Sequence, residues 1–275
     1  MISTINSRTA RRLALLAGVC VVSCLAFAGS ASARFAPGGQ LLKLTHLGFN
    51  TNTSSNWFGY QQGSVEQGGK LFTQVAGNWT VPTATQHTSG QAEDSADWIG
   101  IGGGCVDANC AVGDSTLIQT GTEQDVASGG ATTYDAWYEL VPAPEFQITS
   151  MTVKPGDQMH ALITQAAPEV WNVTIQDVTQ NESYSTTVPY PSTMDTAEWI
   201  EETPLEIGTN AGFAALPNLT DPAFSSLSVN GANPNLKSSE QMQLTDSSGN
   251  VIGTPSAPNS TGNGFSECTW TSTCP

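Results

Sequence analysis

Short apolar runs rich in Val, Thr, Tyr, Trp and Ile recur along most of this chain, and clusters of Gly, Pro, Asn and Ser separate them. Neither sustained heptads nor long amphipathic helical patterns accompany these runs. Such runs between turn-forming residues are typical of strands, so the pattern predicts an all-β protein. The predicted strands are residues 77–81, 97–101, 116–121, 133–141, 158–165, 171–178, 183–188, 197–202 and 240–245.

The strand density continues to Trp270 without a linker-like break. We therefore expect a single β-sandwich domain over residues 51–275 rather than two smaller domains. Turn-forming residues at 154–157 and 246–250 predict hairpin connections. Residues 253–264, which are rich in Pro, Ser, Asn, Thr and Gly, predict a loop before a closing strand.

The amino terminus has the pattern of a secretory signal peptide. Three arginines precede an apolar stretch from Leu13 to Ala28, and Ala31-Ser32-Ala33 supplies a small-x-small cleavage pattern. The stretch is shorter than the roughly 20 residues that a membrane-spanning helix needs. We expect removal of residues 1–33 and secretion to the extracellular medium, with residues 34–50 as a loosely ordered leader or short pro-region.

The charge balance excludes some partners. Removal of residues 1–33 leaves five Lys and Arg against 24 Asp and Glu, a formal charge of −19. Nucleic acids and anionic membranes are therefore unfavourable partners. In acid, protonation of the carboxylates would leave little self-repulsion. An acidic working environment fits this composition, and so does acidity that serves solubility alone.

Four cysteines remain after the predicted signal peptide: Cys105, Cys110, Cys268 and Cys274. Two short-range disulfides, between the first two and between the last two, are the simplest pairing among three possible connectivities. A Cys₄ metal site would need close CxxC pairs and a reducing compartment. We therefore expect disulfides and no metal.

Several familiar catalytic patterns are missing from the sequence. His46, His87 and His160 are scattered, without the spacing of a zinc site or a metalloprotease helix. The chain has no GxSxG elbow and no readable Ser/His/Asp set. The Asp-Thr-Gly or Asp-Ser-Gly signature of a pepsin-type aspartic dyad is also missing.

One predicted strand carries two carboxylates beside an indole. Asp135, Trp137 and Glu139 share one face, because side chains alternate along an extended strand. Exposure of this face would explain the acids but not the tryptophan, and burial in a core would explain only the tryptophan. A concave binding face accommodates both, and an ordinary half-exposed sheet is the alternative.

Two further segments place polar side chains in apolar surroundings. Gln119 lies in an otherwise core-like strand, where it either satisfies buried backbone groups or donates to a developing oxyanion. Residues 197–202 carry three glutamates, Glu198, Glu201 and Glu202. They fit a site with a buried acid or an edge strand whose acids face water.

Six segments together resemble the glutamic peptidases, also called eqolisins, which are pepstatin-insensitive acid endopeptidases. In the order of the family they are Ser55-Asn56-Trp57 with Gly59, Trp79-Thr80-Val81-Pro82, Trp98-Ile99-Gly100-Ile101, Ile118-Gln119-Thr120-Gly121, Tyr134-Asp135-Ala136-Trp137-Tyr138-Glu139 and Ala197-Glu198-Trp199-Ile200-Glu201-Glu202. The resemblance implies two packed, concanavalin-like antiparallel sheets with an active-site cleft on the concave face.

The same resemblance implies roles for individual residues. Gln119 and Glu202 match the catalytic glutamine and glutamate of the family. The residues that match its substrate cleft are Trp57, Asp135, Trp137 and Glu139. The implied reaction is hydrolysis of protein or peptide substrates without a metal or organic cofactor, and we expect a monomer.

Two positions depart from the family pattern. Gly102 stands where fungal members have an aspartate, so a cleft carboxylate is missing. Glu201 stands beside Glu202 where the fungal pattern has an apolar residue, and a one-residue bulge would exchange the two.

Two other functions stay open on the residues alone. A glycoside hydrolase would use two of the glutamates at 139, 198, 201 and 202 as its carboxylate pair. A non-catalytic carbohydrate- or peptide-binding module would use Trp57 and Trp137 as a stacking platform.

Overall fold

The computed structural model describes residues 35–36, 39–43, 45–46, 48, 52–208, 212–220 and 222–275. In this part of the chain the regular secondary structure consists of β-strands and a 3₁₀ turn at Ser238–Glu240. Residues 1–33, the predicted signal peptide, lie outside the described residues. No helix within those residues is long and apolar enough to cross a membrane.

The strands are β1 (Phe35–Ala36), β2 (Gly39–Leu42), β3 (Thr53–Ser54), β4 (Trp57–Gly63), β5 (Gln74–Thr80), β6 (Thr83–Thr85), β7 (Glu93–Gly102), β8 (Leu117–Val126), β9 (Thr132–Val141), β10 (Phe146–Gln147), β11 (Gln158–Ala167), β12 (Val170–Asp177), β13 (Glu182–Pro189), β14 (Thr196–Glu202), β15 (Leu205–Gly208), β16 (Gly212–Phe213), β17 (Asn218–Thr220), β18 (Ala223–Val229), β19 (Gln241–Thr245), β20 (Val251–Pro255) and β21 (Phe265–Thr269). All nine predicted strands are present among them, with ends shifted by a few residues.

One hydrogen-bonded path joins fourteen strands in the order β10-β9-β8-β7-β14-β4-β19-β20-β21-β18-β5-β11-β12-β13. Its pairs are antiparallel, and β3 adds to β19 in parallel. The all-β, mainly antiparallel prediction is therefore confirmed. β14 lies between β4 and β7, so the edge-strand alternative for residues 197–202 is wrong.

The two ends of this path share one hydrophobic core. The strands from β10 to β4, which we call the first arm, contribute side chains to the same cluster as β5, β11 and β12. Members of that cluster include Tyr60, Ile99 and Trp199 from the first arm and Trp79, Ile163 and Trp171 from the other strands. Strands β19, β20 and β21 connect the first arm to strands β18, β5, β11, β12 and β13, so the hydrogen bonding is continuous between the two sides of the core.

The two predicted hairpins differ in outcome. Residues 246–250 join β19 to β20, which pair as a hairpin as expected. Residues 154–157 form a turn, but it joins β10 to β11, and these strands pair with other neighbours. The backbone N–H of Gly156 donates instead to the carbonyl of Val81 at 2.8 Å. The hairpin prediction is wrong there because turn chemistry does not determine which strands pair.

Both short-range disulfides are present, between Cys105 and Cys110 and between Cys268 and Cys274. The first closes the loop that follows β7. The second joins Cys268, within β21, to Cys274 beyond the end of that strand.

Candidate active site

Three rows of side chains cross the first arm on one face, which we call the site face. From β4 across β14, β7 and β8 to β9, the rows are Gln61, Glu198, Gly100, Gln119 and Glu139; then Gly59, Ile200, Trp98, Gly121 and Trp137; then Trp57, Glu202, Ala96, Glu123 and Asp135. Successive rows are two residues apart along each strand, so all of them point to the same side. Every site residue predicted from the sequence belongs to this face.

Glu201 points the other way, toward the shared core. Its strand pairs without a register shift on both sides, from Thr196 to Glu202 along β4 and from Ala197 to Glu202 along β7. On the core side, Gln124 donates to a Glu201 carboxylate oxygen at 3.3 Å. A bulge that would exchange Glu201 and Glu202 is therefore absent from this described strand.

Two side chains orient the Glu202 carboxylate. The indole N–H of Trp98 donates to one oxygen at 3.0 Å, and the Asn56 amide donates to the other at 3.4 Å. Trp98 is itself packed edge-on against Trp57, with ring centroids 4.9 Å apart. The indole fits because Gly121 lies opposite on β8, where a Cβ would approach the Trp98 Cβ to 2.5 Å.

Gln119 is fully buried and donates its amide N–H to Glu139 across the strand pair at 3.0 Å. An amide nitrogen carries two hydrogens, so the second remains for another acceptor. Burial raises the pKa of Glu139 well above its ordinary value; Lys43 opposes this rise, and the carboxylates of Glu145 and Glu202 add to it. Glu139 is therefore neutral in acid.

Several buried polar atoms without a hydrogen-bond partner lie on the site face. Among the described residues they include Trp57 Nε1, Gln61 Nε2, Gln119 Oε1, Trp137 Nε1 and Glu139 Oε1. Folded proteins pair almost all such groups, because an unpaired one costs roughly 1–3 kcal/mol. A group of them on one face is typical of a surface built to contact a polar ligand.

The glycine that replaces the aspartate of the fungal pattern has a structural reason. Gly102 adopts φ +97°, and a Cβ there would lie 1.9 Å from the carbonyl oxygen of Thr116. An aspartate at this position would need a different backbone path. The following Gly103 also has a positive φ, of 88°.

Several residues of the site were not predicted from the sequence. Asn56 and Trp98 lie in segments that carry the family resemblance, but no role was assigned to them. Glu123 falls four residues after Gln119 and hence on the same face, yet the predicted strand ended at residue 121. Glu145 and Lys43 lie outside every predicted strand, and only three-dimensional contacts bring them to this face.

Residues 55–264 match the model of the Peptidase A4 family. The chain belongs to this family. The resemblance to glutamic peptidases is thereby confirmed on a comparison that spans most of the chain.

Two curated relatives agree with this assignment to the Peptidase A4 family. Aspergillopepsin-2 of Aspergillus niger is 27% identical over 184 residues, which cover 59% of this chain and 60% of the relative. Scytalidopepsin B of Scytalidium lignicola is 27% identical over 131 residues, which cover 48% of this chain and 43% of the relative. The matches thus span less than two thirds of either relative.

A solved structure shares the fold. The crystal structure of scytalido-glutamic peptidase with a transition state analog inhibitor matches with a TM-score of 0.59 at 21% identity. The match covers 78% of this chain and 98% of that one.

Proposed function

We propose that this Peptidase A4 chain is a secreted acid endopeptidase in which Glu202 and Gln119 activate water against a peptide bond. The observation that supports it most is the site face itself, where a buried glutamine and an oriented carboxylate lie among unpaired polar atoms. Membership of the family supports the reaction class. The two disulfides fit an oxidising, extracellular compartment.

In the proposed reaction, ionised Glu202 takes a proton from water, and the water oxygen attacks the scissile carbonyl carbon. The carbonyl π electrons move to its oxygen, and the second amide hydrogen of Gln119 stabilises that oxyanion. Protonated Glu202 then gives its proton to the nitrogen as the C–N bond breaks. One residue thus serves as base and then as acid, and no metal or covalent intermediate is needed.

Glu139 has a supporting role in this proposal. Its carboxyl accepts one hydrogen of the Gln119 amide, which fixes the amide plane. Since burial keeps Glu139 protonated in acid, it adds no negative charge beside the developing oxyanion. Trp57, Asp135 and Trp137, on the same face, would contact the substrate.

Digestion of denatured casein tests the proposal. We expect peptide release in acid and little at neutral pH, with pepstatin having no effect. The same samples should release no reducing sugar from polysaccharides, which a glycoside hydrolase would do. Protein that binds peptides or sugars but cleaves neither would identify a binding module and refute the proposal.

Gln119 provides a separate prediction. We expect Gln119→Ala to lower kcat by roughly 10²- to 10³-fold, the usual cost of removing an oxyanion donor. The KM should change much less, because the oxyanion forms only after the substrate has bound. Steady-state kinetics on a soluble peptide measure both constants. A variant that raised only KM would assign Gln119 to substrate binding instead.

A further inference from the structure

A groove with an apolar floor lies beside Thr203, the residue that follows Glu202. We call it the end groove. Its volume is about 570 Å³, which is within the usual range for a ligand site. Leu216 and Leu244 form its floor, where both are buried in one cluster with Phe58, and Ile252 packs against this cluster. The end groove therefore offers a continuous apolar surface to a ligand.

Two aromatic side chains that line the end groove remain partly exposed. Phe213 is 40% exposed and Trp270 is 36% exposed. Trp270 has φ +60°, a left-handed conformation that is unusual for a bulky residue. The ring of His87 stacks on it with centroids 3.6 Å apart, and its indole N–H donates to the carbonyl of Pro217 at 3.3 Å. The indole is thus held in place on a strained backbone, and such strain is concentrated at functional sites.

Backbone hydrogen bonds join the end groove to the site face. The N–H of Thr203 donates to the carbonyl of Asn56 at 2.9 Å, and the Asn56 side chain donates to Glu202. On the opposite wall, the carbonyl of Ala215 accepts from the N–H of Asp94 at 3.1 Å. Asp94 lies on β7, just before the third row of the site face. The end groove therefore begins where the site face ends, next to the proposed catalytic glutamate.

We propose that the end groove is a distal subsite, which binds an apolar or aromatic side chain of the substrate a few residues away from the cleaved bond. The inference rests on the proposed function, because a subsite requires a bond that is cleaved nearby. It goes further by naming the preferred substrates, which are extended polypeptides with an apolar residue at that distance. A chain that lies along the site face past Glu202 would reach the groove directly.

Charge contributes little to the end groove. Asp246 is the one ionisable side chain among its described lining residues. Its carboxylate accepts hydrogen bonds from the backbone N–H groups of Ser248 and Asn250, at 2.9 Å and 2.8 Å, and from the Asn250 side chain at 2.9 Å. These bonds engage the carboxylate within its own turn. We therefore expect selection by apolar burial, which favours one leucine or phenylalanine by roughly tenfold or more.

Peptides of increasing length test the subsite. A cleaved core is extended on either side by up to about five Ser and Gly residues, which reach about 17 Å when extended. At one position, replacement of Ser by Leu or Phe should raise kcat/KM in acid about tenfold or more. Phe213→Ser should reduce this gain to less than about threefold, because the groove then loses an apolar wall.

Leu71→Ser is the matched control, since Leu71 is another apolar side chain of similar exposure, 45%, and does not line the groove. This variant should keep the whole gain. Cleavage of every peptide without a gain at any position would overturn the proposal. A gain that survived Phe213→Ser in full would overturn it as well.

Calorimetry separates the subsite from the proposed function. In a Glu202→Gln chain, the extended peptide with Leu at the favoured position should bind about tenfold more tightly than the same peptide with Ser, and Phe213→Ser should remove the difference. Equal affinities of the two peptides for the Glu202→Gln chain would overturn the subsite. If the unaltered chain cleaves no peptide, the proposed function is wrong, and calorimetry still decides whether the groove binds an apolar side chain.

Discussion

Replacement of Glu202 by glutamine is expected to lower kcat/KM on casein-derived peptides at least about a thousandfold. A glutamine cannot take a proton from water or return one to the leaving nitrogen, so both steps of general acid–base catalysis are lost. The shape is kept, and the amide oxygen can still accept from Trp98. Steady-state kinetics in acid measure the effect, and near-ultraviolet circular dichroism of the buried tryptophans checks that the fold is intact.

Two neighbouring glutamates are matched controls. Glu201→Gln should keep activity within a few-fold, because Glu201 faces the shared core. Glu198→Gln should reduce activity less than Glu202→Gln, since Glu198 shares the row of Gln119 but has no hydrogen bond from Trp98 or Asn56. If Glu198→Gln were inactive and Glu202→Gln active, Glu198 rather than Glu202 would be the general base. Full activity of all three variants would refute the glutamic-peptidase mechanism for this chain.

Alternation along single strands was enough to predict part of this site. Asp135, Trp137 and Glu139 share a face because they are two residues apart, and the structure has them on one face. The same alternation places Glu202 and Glu201 on opposite faces of the sheet, provided that no bulge lies between them. What alternation cannot give is the register between strands, because pairing joins residues that are distant in the chain. That Gln119 lies opposite Glu139 was therefore not predictable.

The unpredicted strand β4 shows a second limit. All seven of its residues are buried, so its sequence lacks the period-two pattern of a half-exposed strand. Lys43 shows a third limit. Its contacts with Glu123 and Glu145 span 80 and 102 residues, and no local pattern connects such positions. The only signal for Lys43 in the sequence was that the chain has few basic residues after position 33.

A cluster of three carboxylates lies beneath the site, on the core face of the first arm. Asp97, Glu201 and Glu267 are each fully or almost fully buried, and their nearest oxygens lie within 4.8 Å of one another. Gln124 donates to Asp97 and Glu201 at 3.4 Å and 3.3 Å. Burial raises the pKa of Asp97 to about 7, and hydrogen bonds from Glu201 and Gln124 limit the rise. Burial also raises the pKa of Glu201 and of Glu267 well above the ordinary range, and Asp97 adds to both.

These raised pKa values predict that the protein is most stable in acid and loses stability as the pH rises. The folded chain binds more protons than the unfolded chain between the ordinary carboxyl pKa and the raised one, so the free energy of unfolding falls through that window. For Asp97 alone, a rise from 3.8 to about 7 corresponds to a loss on the order of 4 kcal/mol. Natural domains have only about 5–15 kcal/mol in total, so the midpoint of urea unfolding should fall steeply between pH 4 and about pH 8.

Urea titrations in the Glu202→Gln background avoid self-digestion and allow one carboxylate to be removed at a time. Glu267→Gln should make the free energy of unfolding fall less steeply with pH, because Asp97 and Glu201 then ionise without repulsion from a third carboxylate. Glu66→Gln removes the same formal charge from an exposed position and should leave the slope unchanged. Equal slopes in both variants would mean that the whole-chain negative charge, rather than this cluster, governs stability. If the free energy of unfolding instead rose from pH 4 to about pH 8, the raised pKa values would be wrong. Carboxyls that are protonated in the folded chain lose their protons over this range, and each loss destabilises the fold.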